Sequence, residues 1–188
     1  ILEFYRMRVI TGKARGTRLV TVSGNDIVRP TGEKAKEGIF SSIQFDIEGR
    51  RILDLFAGSG QLGIEALSRG AKSAVFVDIS DVSLKAVREN LTKTGLNAFA
   101  EVIKADYSSY LLTSSKKFDI AFLDPPYNSG VLSDALIKTA NVMSDFGIII
   151  CEHPSETVLP DTALDFKAVK KYKYGKIHVT IYKKEQSL

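Results

Sequence analysis

The sequence lacks the residues that disulfides and most metal sites require. Its 188 residues include one cysteine, Cys151, and two histidines, His153 and His178. One cysteine cannot close an internal disulfide, and so few thiol and imidazole groups do not make a structural zinc site. We therefore expect no metal in this protein.

Long apolar runs are absent as well. No stretch approaches the roughly 20 apolar residues that a membrane-spanning helix needs, and the N-terminus lacks the basic and then apolar layout of a secretory signal. Hydrophobic residues make up 44% of the chain and charged residues 26%, which is typical of a globular domain and excludes a wholly disordered chain. We expect one cytoplasmic, monomeric protein with a full core and no membrane partner.

Acidic residues are scarce near both ends of the chain. Residues 7–36 contain seven basic and two acidic side chains, residues 167–184 contain seven lysines and no acid, and residues 37–166 carry a net charge of −7. The first block combines arginine with glycine and threonine, which suits phosphate contacts, whereas the second can equally be a solvated surface. We expect the first block to bind a polyanion.

Short β-rich runs alternate with helical stretches from residue 51 onward. The predicted strands are Ile52–Leu55, Ser73–Asp78, Ala98–Lys104, Phe118–Leu123, Gly147–Glu152, Phe166–Tyr174 and Lys176–Lys183. The predicted helices are Gly60–Arg69, Val82–Lys93, Ser108–Ser114 and Val131–Met143. The alternation predicts an α/β fold: a Rossmann-like, doubly wound sheet of seven mostly parallel strands, with helices on both faces and a terminal antiparallel hairpin.

A small extension is predicted before the sheet. Arg8–Ile10 and Thr17–Val22 are strand candidates for a β-hairpin, and Glu33–Ile43 has the apolar spacing of a helix. Residues 1–6 precede Met7 and depart from this pattern, so we expect them to be a cloning remnant. The expected division is an extension over 7–46 and a sheet domain over 47–188.

A glycine-rich loop joins the first predicted strand to the helix that follows. Gly58, Gly60 and Gly63 satisfy the Gly-x-Gly-x-x-Gly pattern in a strand–turn–helix setting, which is typical of loops that approach a nucleotide closely. Asp54 precedes this loop, and its carboxylate would repel a pyrophosphate. It suits a ligand with ammonium and sulfonium cations, and S-adenosylmethionine carries both.

Two further acids lie at or just after the ends of the next two predicted strands. Asp78 could hold ribose hydroxyls or simply be a solvated strand end. Asp106 could accept a hydrogen bond from an adenine amine or cap the helix that begins at Ser108. Acids at successive strand ends favour a cofactor, because open α/β sheets bind ligands at that edge.

The strand Phe118–Leu123 leads into Asp124-Pro125-Pro126-Tyr127, the most specific pattern in the sequence. Two prolines end the strand and remove two backbone donors, which leaves the Asp124 carboxylate and the Pro125 carbonyl to accept from an exocyclic amine. Such an amine needs acceptors because its lone pair is delocalised into the ring, and positioning and electrostatics then supply most of the catalysis. Tyr127 would stack on a base swung out of its stack.

These motifs resemble class I S-adenosylmethionine-dependent methyltransferases that act on exocyclic amines, and among them the bacterial 16S ribosomal RNA guanine-N2 methyltransferases. The similarity covers nearly the whole chain after Met7. It includes the stretches Arg8–Gly16, Arg29–Thr31 with Lys36-Glu37, and Leu62–Gly70. The resemblance implies methylation of one guanine of small-subunit RNA during ribosome assembly, with S-adenosylhomocysteine as the second product.

The resemblance also implies a role for each matching residue. The cofactor-binding residues would be Asp54, Phe56, Ala57, Gly58, Ser59, Gly60, Asp78, Ile79, Asp106, Tyr107 and Asp124. The catalytic residues would be Asp124, Pro125, Pro126 and Tyr127. The RNA-binding residues would be Arg8, Lys13, Arg15, Arg18, Arg29, Thr31 and Lys36. Residues 7–46 would then be an RNA-binding extension and 47–188 the methyltransferase domain.

Three alternatives remain open on sequence alone. The tetrapeptide also resembles that of DNA adenine-N6 methyltransferases, although the chain has no evident separate domain for reading a duplex. The glycine pattern fits an NAD-dependent oxidoreductase, against which Asp54 argues. The intact tetrapeptide disfavours a non-catalytic RNA-binding module.

Overall fold

One mixed β-sheet with helices on both faces contains most of the chain. A computed structural model describes residues 7–22, 30–126 and 130–184, with the backbone alone at Pro30 and Thr31. The helices of these ranges are α1 (Pro30–Ser42), α2 (Gln61–Ser68), α3 (Asp81–Thr94), α4 (Tyr107–Thr113) and α5 (Leu132–Ala140). The strands are β1 (Arg51–Asp54), β2 (Ser73–Asp78), β3 (Ala100–Lys104), β4 (Phe118–Leu123), β5 (Met143–Pro154), β6 (Thr162–Ala163), β7 (Phe166–Tyr174) and β8 (Ile177–Lys184). None of these helices combines the length and apolar character needed to cross a bilayer.

The order of the strands across the sheet is β3-β2-β1-β4-β5-β8-β7-β6. Strands β1 to β5 are parallel, whereas β8 is antiparallel to β5, β7 to β8 and β6 to β7. The order reverses between β1 and β4, which are neighbours in the sheet. In open α/β sheets such a reversal creates a crevice beyond the carboxyl ends of the strands, so the fold itself indicates a ligand site there.

Two apolar layers cover the two faces of the sheet. Helices α1, α2 and α3 pack on one face and α4 and α5 on the other, so that successive strand residues such as Ile52 and Leu53 enter different layers. All six residues of β4 are buried, because it is a central strand covered on both sides. Because both faces are covered, β1 and β4 are held firmly, and so are the residues at their carboxyl ends.

Residues 7–22, here called the N-terminal segment, pack into the same layer as α1 to α3. Val9 and Leu19 belong to its core. Of the predicted hairpin, the structure retains one bridge, between Arg8 and Arg18. At this bridge the Val9 N–H donates to the Thr17 carbonyl at 3.0 Å and the Leu19 N–H to the Met7 carbonyl at 2.8 Å. The predicted strands do not extend into a longer ladder within the described residues, because several other N–H groups of the segment donate to side chains on α2 and α3.

The predicted fold class is confirmed, with differences at the ends of elements. The bounds of β2, β4 and β7 are as predicted. The helix predicted to reach Met143 ends at Ala140, and Met143 instead pairs with Phe118 as the first residue of β5. The two-residue β6 raises the number of strands from the predicted seven to eight. The predicted remnant, 1–6, lies outside the described residues.

Candidate cofactor and catalytic site

A cleft of about 860 Å³ opens beyond the carboxyl ends of β1, β2 and β4. All the predicted cofactor-binding residues except Gly60 line it, and so do Pro125 and Pro126. Clefts of this volume accommodate ligands of cofactor size. The topology therefore brings residues from five separate stretches of the sequence to one site.

Asp54 lies at the end of β1 and is 3% exposed. Its Oδ2 accepts a hydrogen bond from the Gly63 N–H at 2.9 Å. The pKa of Asp54 is raised to about 7, chiefly by burial; the hydrogen bond from Gly63 opposes this rise and the charge of Asp78 adds to it. A cationic ligand would favour the charged carboxylate, so the cleft offers a cation a partner that is screened by water less than a surface carboxylate is.

Two glycines shape the turn between β1 and α2. Gly60 precedes the helix with a φ of +78°, a left-handed conformation that glycine adopts without strain. A Cβ on Gly63 would lie 2.3 Å from a ring carbon of Phe76. Glycine therefore lets α2 pack closely on β2 while its N–H points at Asp54.

Asp78, at the end of β2, is fixed by two backbone donors. Its Oδ2 accepts from the Gly58 N–H at 2.9 Å and its Oδ1 from the Ser80 N–H at 2.8 Å. Each carboxylate oxygen has a second lone pair, so the side chain can also accept from a pair of ligand hydroxyls. The neighbouring Ile79 is 69% exposed and gives the cleft an apolar surface for a flat ring.

Asp106 caps α4. Its Oδ1 accepts from the N–H groups of Ser108 and Ser109 at 3.0 and 3.1 Å, which is the capping geometry weighed as an alternative from the sequence. Capping uses one oxygen of an exposed carboxylate that also lines the cleft. Asp106 can therefore cap the helix and accept from a ligand amine at once.

Tyr107 forms the wall beside this acid. Its hydroxyl donates to Asp134 Oδ2 at 2.8 Å, and its ring lies 5.4 Å from that of Phe56, centroid to centroid. The bond to Asp134 is the main cause that raises the pKa of Tyr107 to about 12. The hydroxyl therefore stays protonated near neutral pH and is held in place as a donor to Asp134.

The loop after β4 begins with Asp124, Pro125 and Pro126. These residues line the cleft beside the carboxyl end of β1, the neighbouring strand. The pKa of Asp124 is raised well above its usual range, first by burial and then by the charges of Glu152 and Asp54. Tyr127, the last residue of the tetrapeptide, lies outside the described residues.

The sequence analysis did not single out Glu152, whose charge acts on Asp124. The parallel register pairs Leu123 with Cys151, so Glu152 follows at the level of Asp124 on the adjacent strand. The signal was available, because Glu152 ends the predicted fifth strand and acids at strand ends had marked the other site residues. Although several acids converge here, no group of three or more metal-ligating side chains within the described ranges is arranged to hold a metal ion.

The predicted RNA contacts divide into exposed and buried side chains. The exposed ones are Arg8, Lys13, Arg15 and Arg18. Lys36 is 3% exposed, and its ammonium lies 3.3 Å from Glu65 Oε2 and donates to the Arg8 carbonyl at 3.1 Å. The structure thus places the charge of Lys36 beside a carboxylate inside the protein and not among the exposed cations. Arg29 and the side chain of Thr31 lie outside the described part of the chain.

Comparison with known sequences places the chain in a family. The family model described as "Conserved hypothetical protein 95" matches residues 7–183. The chain is 42% identical over 183 residues to YlbH of Bacillus subtilis, provisionally named an rRNA methyltransferase, and the match covers 95% of this chain and 99% of YlbH. It is 29% identical over 182 residues to the Ribosomal RNA small subunit methyltransferase D of Escherichia coli, covering 96% of this chain and 91% of that protein.

Solved structures share the fold. The Escherichia coli protein yhhF superposes with a TM-score of 0.82 at 27% identity, covering 97% of this chain and 99% of that one. The 16S rRNA N2 G1207 methyltransferase of Thermus thermophilus, solved with AdoMet and guanosine, has a TM-score of 0.67 at 23% identity, covering 84% of this chain and 44% of that one. This second likeness concerns the fold alone. The oxidoreductase alternative is set aside by the family match, and the chain therefore belongs to the Conserved hypothetical protein 95 family as a class I S-adenosylmethionine-dependent methyltransferase.

Proposed function

We propose that this methyltransferase transfers a methyl group from S-adenosylmethionine to the exocyclic N2 amine of one guanine in 16S ribosomal RNA. The observation that carries the proposal is the position of Asp124 and Pro125, which line the same cleft as the acids at the ends of β1 and β2. The names of two relatives that match nearly the whole chain support ribosomal RNA as the substrate.

The residues of the cleft fit this cofactor. S-adenosylmethionine, when bound, supplies an electrophilic methyl group on a sulfonium. Asp54 would hold the cationic end, because its carboxylate is buried beside the loop glycines. Asp78 would accept from the ribose hydroxyls, and Ile79 and Asp106 would face the adenine.

Asp124 and Pro125 would orient the target amine. The Asp124 carboxylate and the Pro125 carbonyl each accept one N–H hydrogen, which directs the nitrogen lone pair toward the methyl group. Once the nitrogen has bonded to the methyl carbon, it must lose one proton. The raised pKa of Asp124 makes its carboxylate a stronger proton acceptor than an ordinary aspartate, so this side chain can take the proton and pass it to water.

The N-terminal segment would bind the phosphates of the substrate. Its four exposed cations lie on a surface that is anchored to the methyltransferase core. The proposal has the protein act as a monomer in the cytoplasm, on RNA within the small ribosomal subunit or an assembly intermediate.

The test is transfer of labelled methyl groups to small ribosomal subunits from cells that lack the modification, followed by digestion to nucleosides. The proposal expects the label in N2-methylguanosine with the unmodified protein and none with Asp124→Ala. Calorimetry with S-adenosylhomocysteine checks that the variant still binds cofactor. Label on a DNA control as N6-methyladenine, with none on the subunits, would instead identify a DNA methyltransferase.

A further inference from the structure

Asn90 is a buried amide that contacts both the N-terminal segment and the cofactor loop, residues 55–60. It lies on α3 and is 0% exposed. Its Oδ1 accepts from the Val20 N–H at 2.7 Å, and its Nδ2 donates to the carbonyls of Val20 and Ser59, both at 2.9 Å. Both hydrogens of this amide are therefore used to join two stretches that are far apart in the sequence.

The N-terminal segment continues from this contact into the wall of the cleft. Val22 lines the cleft, two residues after Val20. The earlier part of the segment is held elsewhere, where the Lys13 N–H donates to the Ser68 carbonyl at 2.8 Å. The segment thus passes from the last residue of α2 to the cofactor cleft, and Asn90 lies where it meets the cofactor loop.

We propose that Asn90 is a positioning residue that couples RNA binding on the N-terminal segment to cofactor affinity in the cleft. One side chain bonded to both Val20 and Ser59 makes the position of one depend on the position of the other. Coupling between two binding events is reciprocal, so RNA that holds the segment in place raises cofactor affinity by the factor by which cofactor raises RNA affinity. The RNA half of this inference rests on the proposed function, whereas the cofactor half does not.

The chemistry of the amide explains why this residue cannot be replaced freely. Without the Nδ2 donor, the half-buried carbonyls of Val20 and Ser59 lose their bond to Asn90, which is costly for the folded arrangement. Asn90→Asp keeps the shape and the Oδ1 acceptor but directs a second acceptor oxygen at the carbonyls of Val20 and Ser59. Asn90→Ser shortens the side chain and leaves space for water beside both carbonyls. Both variants remove the hydrogen bonds from Nδ2, but they leave different groups beside the two carbonyls and so affect folding stability differently.

Ser68→Ala is the matched control. The Ser68 hydroxyl is buried on α2, donates to the Thr11 carbonyl at 2.7 Å and accepts from the Ala14 N–H at 2.9 Å. Its loss loosens the same segment at a point remote from the cofactor loop. A general weakening of the segment would therefore appear in Ser68→Ala as well, whereas a link through Asn90 would not.

The experiment measures the dissociation constant of S-adenosylhomocysteine by calorimetry, with and without saturating small ribosomal subunits that lack the modification. For the unmodified protein we expect subunits to tighten binding at least about fivefold, the lower end of common coupling factors. For both Asn90 variants we expect about tenfold weaker binding without subunits and a coupling factor near one. The KM for S-adenosylmethionine should rise, with kcat at saturating cofactor nearly unchanged, a split that a purely structural defect would not produce.

The proposal is overturned if both folded Asn90 variants bind S-adenosylhomocysteine and respond to subunits as the unmodified protein does, or if Ser68→Ala shows the same losses. Cooperative thermal unfolding establishes that each variant is folded. If the unmodified protein fails to act on ribosomal RNA, the proposed function is wrong, but the measurement without subunits still decides whether Asn90 sets cofactor affinity.

Discussion

Cofactor binding and folding stability favour different protonation states of Asp54: a cationic ligand favours the charged carboxylate, whereas burial favours the neutral acid. Its pKa is raised from 3.8 to about 7 in the folded protein, chiefly by burial, so the folded state keeps a proton that the unfolded chain has already released. The stability contributed by this group is fully present below pH 3.8 and is lost as the pH rises through about 7. The difference corresponds to roughly 4 kcal/mol at most, and we expect about half to be measurable, because water in the cleft partly solvates the charge.

Asp54→Asn tests this reasoning, because it keeps the shape and an acceptor oxygen for the Gly63 N–H and cannot ionise. Without cofactor, we expect the variant to match the unmodified protein near pH 4 and to exceed its stability at pH 8 by about 2 kcal/mol. In a domain of this length that is roughly 4–8 °C in Tm. The same variant should bind S-adenosylhomocysteine at least tenfold more weakly at pH 8, since the ammonium loses its buried anion.

The assay is thermal unfolding of both proteins across pH 4 to 8.5, together with calorimetry at pH 6 in buffers of different ionisation enthalpy. A cationic ligand lowers the pKa of Asp54, so binding to the unmodified protein should release a proton that Asp54→Asn does not release. A stability difference that stays constant with pH, or an unmodified protein that releases no proton, would refute the assignment of the buried charge to Asp54.

Three further predictions concern transfer, RNA binding and packing. With saturating cofactor, the single-turnover rate should rise with pH as Asp124 ionises. Glu152→Gln removes a neighbouring negative charge and lowers the pKa of Asp124, so the rise should occur at lower pH; a rise at the same pH would contradict the reasoning. Arg15→Ala should weaken RNA binding and reduce the slope of log K against log salt by about 0.7–1. Lys117→Ala removes an exposed cation that donates to the Asn141 carbonyl after α5, and it should leave both unchanged in the same filter-binding titration. Lys36→Met should destabilise the fold by about 1–3 kcal/mol in denaturant titration, because buried Glu65 keeps Arg69 but loses its second cation, and the Arg8 carbonyl loses its donor. Any RNA binding by this variant should keep an unaltered salt slope.

The sheet could be predicted because its signals are local. The buried run Phe118–Leu123 and the alternation of strands with helices are visible within windows of a few residues, and Gly58 and Gly60 mark the loop by their spacing alone. The boundary at Met143 was missed for the same reason. Its apolar neighbours continue the helical period of α5, and only the pairing with Phe118 makes this residue part of a strand.

The N-terminal segment could not be predicted because its partners are distant. Its alternating residues indicate a hairpin, yet Glu65 accepts from the N–H groups of Ile10 and Thr11 at 2.7 and 3.0 Å and so replaces the strand partner. The role of Lys36 depends on the same carboxylate, 29 positions along the chain. A sequence shows that such a lysine is charged, but it does not show which charge lies beside it.

The residues that hold the N-terminal segment in place are synthesised after the segment itself. Its bonds to Glu65, Ser68 and Asn90 span 54 to 70 residues of sequence. A ribosome synthesises the chain from its N-terminus, so this basic segment emerges before the helices that hold it exist. Translation proceeds at roughly 5–20 residues per second, so about 4–14 s pass between the synthesis of the segment and that of the last of these partners. Until then the cations of this segment lack the contacts that hold them beside α2 and α3, and closing these non-local contacts gives them the positions they hold in the folded protein.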